Sequence, residues 1–88
     1  MAYHVGYMRS AEKDLGRLSP DVARRILDDL EELKRDPRPA GVRPLHGNRL
    51  PGFRLVVGDY RVLYTVDDQA EAITVYAVGH RSEVYRKK

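Results

Sequence analysis

Polar and apolar residues alternate over 2–7, with Tyr3, Val5 and Tyr7 on one side and His4 and Gly6 on the other, the period of a half-buried strand. Ser10 then stands where it can cap a short helix over residues 11–18, in which Ala11, Leu15 and Leu18 recur at helical spacing. A stronger start follows at Ser19-Pro20-Asp21: the serine accepts an orphan N–H, the proline loses nothing at the first helical position, and the aspartate meets the positive end of the dipole. The apolar stripe of this longer helix is Val22, Ala23, Ile26, Leu27, Leu30 and Leu33. Its outer face sets Arg24 by Asp28, Arg25 by Asp29 and Glu31 by Arg35, an ordinary solvated surface with no assigned function. The helix ends before Pro37.

Four prolines and two glycines between Asp36 and Pro51 break every period, which predicts a long loop carrying Arg38, Arg43, His46 and Arg49. Phe53 to Val57 and Tyr60 to Val66 then read as strands around the two-residue turn Gly58-Asp59, and Ile73 to Gly79 as a further strand. With that turn fixed, Val57 opposes Tyr60, Leu55 opposes Val62 and Phe53 opposes Tyr64, all on one face. Carrying the same alternation into the last strand adds Ile73, Val75 and Ala77 to this core face, beside Tyr3, Val5 and Tyr7. The opposite face is expected to hold Arg54, Val56, Arg61, Leu63, Thr65, Thr74, Tyr76, Val78 and His80, too polar for a second core.

Composition limits what such a chain does. Its 88 residues are too few for two ordinary domains, so one domain over 1–88 is expected. A content of 42% apolar and 33% charged residues fits neither a disordered nor a membranous chain. No basic segment followed by a long apolar stretch opens the sequence, so a cytoplasmic location without membrane contact is expected. The absence of cysteine excludes disulfides, thiolate metal sites and a cysteine nucleophile. The histidines at 4, 46 and 80 lack the close spacing of a metal centre, and there is no phosphate-binding glycine loop, so neither metal nor cofactor is expected.

Charge is the more informative quantity. Residues 1–41 carry eight Lys/Arg against eight Asp/Glu, whereas residues 42–88 carry eight against five, the whole excess of +3. Six of the later eight are arginines, whose planar donor fork suits phosphate. Asp59 is the only acid from Val42 to Val66, so Arg54 and Arg61 have few carboxylates within reach. With Arg81 just past the last strand and Tyr85 four residues on, these side chains form an array suited to stabilising negative charge on a phosphodiester. In the same tail His80 can exchange a proton near neutral pH or merely orient the chain.

The order strand, helix pair, basic loop, then "FRLVVGDYRVLY" and "VYAVGHRSEVYR", resembles the RelE/ParE toxin superfamily, the RelE branch in particular, over nearly the whole chain. The resemblance implies an α+β fold, β-α-α-β-β-β, with a helical hairpin on one face of a small, mainly antiparallel sheet and a short C-terminal tail. It also implies a type II toxin made with a cognate antitoxin, entering the ribosome to cut messenger RNA in the A site without metal. The antitoxin of such a pair often also binds operator DNA. The shared pattern falls on Arg54, Arg61 and Arg81 as phosphate clamps and on Tyr85 in proton transfer. Arg43, His46 and Arg49 of the loop and Arg86 of the tail are expected to contact RNA.

The chain departs from the pattern at Val56, where many relatives keep a second Lys or Arg. His46 or His80 is the substitute base that the sequence offers. Two rival functions share the resemblance: a ParE-like inhibitor of DNA gyrase that cleaves nothing, and an RNA-binding homologue whose catalysis has decayed.

Overall fold

The computed structural model describes residues 2–45 and 50–86. Its elements in chain order are β1 (His4–Tyr7), α1 (Arg9–Gly16), α2 (Pro20–Leu33), β2 (Arg43–Pro44), β3 (Phe53–Val57), β4 (Tyr60–Asp67), β5 (Ala72–His80) and a closing 3₁₀ turn, Val84–Arg86. The strands form one sheet in the order β1-β5-β4-β3-β2, in which β1 runs parallel to β5 and every other neighbouring pair is antiparallel. This is the expected α+β arrangement with one strand added. Arg43 and Pro44 pair with Arg54 and Phe53 inside the segment expected to be loop, a strand too short and too proline-bound to leave a period in the sequence.

Ser19 caps α2 as expected, its hydroxyl accepting the Val22 N–H at 3.4 Å, and the apolar stripe buries Ile26, Leu30 and Leu33 against the sheet. Leu27 drops out of that stripe and is exposed. None of the three expected i,i+4 ion pairs forms; Lys34 pairs instead with Glu31 at 3.1 Å, in keeping with how little exposed pairs contribute. The core joins Ile26, Leu30, Leu33 and Ala11 to Val57, Val62, Tyr64, Ile73, Val75 and Val78 of the sheet, with Tyr3, Val5 and Tyr7 packed at its border.

The first helix starts at Arg9 rather than after Ser10, because Ser10 is used elsewhere. β1 pairs with β5 only as far as Val75, which leaves the next backbone groups of β5 without a strand beside them. α1 supplies them with partners: the Met8 N–H donates to Val75 O, the Ser10 hydroxyl donates to Tyr76 O, and the buried Asp14 carboxylate accepts the Val78 N–H at 3.0 Å. A helix thus closes the open edge of β5 with side chains, and buried backbone polarity is answered without a sixth strand.

The β3–β4 register is as expected from the turn, with Val57 opposite Tyr60 and Phe53 opposite Tyr64; of the two turn residues only Gly58 has a positive φ, the Gly-first form of the two-residue hairpin. The β4–β5 register is not. Leu63 faces Ala77 while Tyr64 faces Val75, so Tyr76 is an extra residue in β5, a β-bulge. One added residue inverts the alternation beyond it: Ala77 moves to the outer face, and Val78 and His80 move to the helix side, opposite Val62 and Tyr60. The expected faces of these three residues are thereby corrected.

The long loop is tied down at both ends by tyrosines. Tyr64, fully buried, donates to Pro37 O at 2.7 Å, and Tyr76 donates to Pro51 O at 2.6 Å. Arg38 adds a third tie, pairing with Asp68 at 2.8 Å over the Phe53 ring, while Tyr3 donates to the other Asp68 oxygen. Both hydrogen bonds hold the Asp68 carboxyl below its usual range. At the loop's end Gly52 has φ of 90°, and a Cβ there would collide with the Tyr64 carbonyl. Gly52→Ala should therefore cost at least about 1–3 kcal/mol in urea unfolding, through strain as well as contact. Burial raises the Tyr64 phenol from 10.0 to about 12. Because its folded pKa lies above the unfolded one, this contribution is complete below about pH 10 and is lost as pH rises toward about 12. A Tm profile should fall across that window, and Tyr64→Phe should flatten the fall while costing about 1–3 kcal/mol at neutral pH for the stranded Pro37 carbonyl.

Candidate functional site

The face of the sheet away from α2 carries two rows of side chains set by the strand register. One runs Arg43, Arg54, Leu63, Ala77 across β2 to β5; the next runs Val56, Arg61, Gly79. Contrary to the expectation of a mixed face too polar for a second core, the first row ends in a small second core. Leu50, Leu63, Ala77 and Val84 are buried together, with Leu45, Tyr76 and Tyr85 against them. The bulge makes this possible, since it turns the small Ala77 outward beside Tyr76 and gives the tail a place to dock. Val84, wholly buried, anchors the 3₁₀ turn, and the turn carries Tyr85 to Arg54.

Arg54 is the centre of the arrangement. It is half-buried, and its Nη1 donates to the Tyr85 hydroxyl at 3.4 Å, a long bond. Its Nε is buried with no hydrogen-bond partner, and no carboxylate among the described residues pairs with it. Directly across the ladder stands Arg43, exposed and equally cationic. Two like charges opposed on adjacent strands are unfavourable, and a buried cationic donor left without an acceptor more so. One anion bound between them would relieve both conditions, and nothing else among the described residues does.

The remaining expected site residues are dispersed around this pair. Arg61 does not project freely from the sheet: its Nη1 donates to the Gly58 and Tyr60 carbonyls, each at 3.0 Å, and so braces the hairpin turn. Arg81 begins the tail at the same hairpin tip, where its N–H donates to Asp59 O at 2.8 Å and its exposed Nε lies 4.0 Å from the Asp59 carboxylate. Arg86 is exposed at the end of the turn. His46 and Arg49 lie outside the described residues. Val56 is 45% exposed and leaves an apolar gap directly opposite Arg61.

His80 belongs to the other side of the sheet. It pairs with Tyr60, meets that ring edge-on at 5.6 Å, and its Nδ1 accepts the Ser82 N–H at 3.1 Å. Those contacts shape the start of the tail and direct the imidazole away from the Arg54 face, so the expectation that it shares that face is corrected by the bulge. What sequence reasoning missed was the docking cluster. The available signal was Val84, an isolated apolar residue in an otherwise polar tail.

A model of the family described as the ParE toxin of the type II toxin–antitoxin system matches residues 5–85. Toxin RelG of Mycobacterium tuberculosis is 31% identical over 88 residues, spanning 99% of this chain and 100% of that protein. Toxin RelE of the same organism is 34% identical over 96% of this chain and 87% of its own length. Among solved structures, the RelBE2 toxin–antitoxin complex of M. tuberculosis superposes with a TM-score of 0.81 at 29% identity, covering 94% of this chain and 95% of that one. The archaeal RelE–RelB complex of Pyrococcus horikoshii gives 0.80 at 28%, covering 96% and 100%.

If the Arg54 pair is an anion site, inorganic phosphate should stabilise the protein, by about 1.4 kcal/mol at ten times its Kd. Thermal melts with phosphate against chloride at matched ionic strength check this. The increment should vanish in Arg54→Met.

Proposed function

We propose that this chain, which belongs to the RelE/ParE superfamily of type II toxin–antitoxin toxins, is an endoribonuclease that cuts messenger RNA in the ribosomal A site. The observation that carries this reading is the buried, partnerless Nε of Arg54 with Arg43 opposite it on the ladder, a pair of cations that an anion would satisfy. A phosphodiester supplies that anion, and its cleavage raises the charge further. In the reaction the RNA's own 2′-hydroxyl attacks the adjacent phosphorus, the bond to the 5′-oxygen breaks, and the products are a 2′,3′-cyclic phosphate and a 5′-hydroxyl.

Arg54 and Arg43 would hold the non-bridging oxygens, and the charge they answer grows as the phosphorane forms. Tyr85, already beside Arg54, is the group able to move a proton at the reacting centre. Arg61 and Arg81 would join the clamp by turning from the hairpin tip, which costs Arg61 two turn hydrogen bonds and Arg81 only a weak exposed pair. No metal is needed for any of these steps. The natural partner of such a toxin is an antitoxin whose acidic groups compete with phosphate for the same arginines, as a protein rather than a substrate. That the solved relatives include toxin–antitoxin complexes supports this pairing, and operator binding would belong to the antitoxin.

A second reading, inhibition of DNA gyrase without cleavage, is favoured by one observation: Val56 leaves uncharged the position opposite Arg61 that many RNA-cutting relatives fill with Lys or Arg. A translating extract separates the two. Purified protein should cut messenger RNA at A-site codons and leave supercoiling untouched, and Arg54→Ala and Arg81→Ala should each lower the cutting rate by roughly 10². Intact messenger RNA together with inhibited supercoiling would overturn the ribonuclease reading.

A further inference from the structure

Arginines converge on the β3–β4 hairpin tip from three elements. Arg61 comes from β4 and spends Nη1 on the Gly58 and Tyr60 carbonyls, leaving other donors of its guanidinium free. Arg81 comes from the end of β5, hydrogen-bonded through its backbone to Asp59. The third is Arg25 of α2, from the helix layer on the other side of the sheet. Its guanidinium lies against the turn, with Nη1 3.4 Å from where a Gly58 Cβ would stand. Arg25 does not pair with Asp29 one turn on, nor with any other acid among the described residues. Asp59 is the single carboxylate of the turn, so the cluster carries a surplus of positive charge.

We propose that this tip is a second phosphate-binding station, at which Arg25 takes up the backbone of single-stranded RNA leaving the Arg54 grip. The proposal rests on the ribonuclease reading and extends it from one phosphate to a path. The path starts at Arg43 and Arg54 on the outer face, passes Arg61, and rounds the hairpin to Arg25 on the helix side. Val56, uncharged and exposed between grip and tip, gives that path an apolar floor rather than a third clamp. Arg24, next in the chain and also exposed, makes no hydrogen bond or ion pair among the described residues and takes no part.

The test uses 2′-O-methyl single-stranded RNA, which cannot be cut, in lengths of about 4 and about 12 nucleotides, with affinity followed by fluorescence anisotropy over a range of salt. For the longer RNA, Arg25→Gln should weaken binding and reduce the salt slope by about 0.7, the loss of one phosphate contact on a single strand. Arg24→Gln should keep the parent slope, and Arg25→Gln should bind the shorter RNA as the parent does. An unchanged slope for Arg25→Gln, or an equal loss in Arg24→Gln, would overturn the second station while leaving the grip standing, provided Arg54→Met abolishes binding of both lengths. If the parent binds neither length, the ribonuclease reading falls and the station with it.

Discussion

At Tyr76 the last strand carries one residue more than its neighbour can match, and the architecture on both sides of the sheet follows from that excess. Below the bulge β5 presents Ile73 and Val75 to the helices; above it Val78 takes over that duty and Ala77 faces outward. The exchange puts a small residue where the tail must dock, so that Val84 can bury itself and bring Tyr85 to Arg54. It also sends Tyr76 itself to Pro51, fixing the end of the loop that precedes β3. Without the bulge the same sequence would turn Val78 and His80 toward the arginines and leave the tail unanchored. A local irregularity of this kind is better regarded as a specified feature than as a fault in the ladder.

Much of the fold was legible because it rests on local signals. Ser19-Pro20-Asp21 announced α2, Gly58-Asp59 fixed the hairpin and its register, and the faces of β3 and β4 followed residue by residue. The parts that were not legible depend on long-range pairing. A bulge costs one residue and has no composition of its own; β2 is two residues long; and Ser10, which looks like a helix cap, answers a carbonyl 66 positions away. No periodicity encodes these, since each is settled by which backbone groups other elements leave open.

The candidate site divides along the same line. Arg54 and Tyr85 could be singled out from charge and spacing, and they do meet. Arg61, which the same charge and spacing single out, and His80, which the sequence offers only as a lesser candidate, are engaged otherwise, one with turn carbonyls and one with Tyr60 and Ser82. A side chain's direction is set by strand register, but its hydrogen bonds are set by the nearest unsatisfied acceptor, and that acceptor is visible only in three dimensions. The opposed Arg43 and Arg54 are the counterpart: the sequence shows two arginines 11 positions apart, and only the short β2 ladder reveals that they confront each other.

The side-chain ladder of α1 has a consequence for solution behaviour. A strand that runs past its neighbour exposes hydrogen-bonding groups ready to pair with any extended segment, and basic, β-rich chains at high concentration associate by that route. Here the overhang of β5 is filled by Ser10 and Asp14 from a helix, groups that satisfy the backbone and offer no continuing edge. That overhang is closed against zipping to a second copy, at the cost of one buried carboxylate.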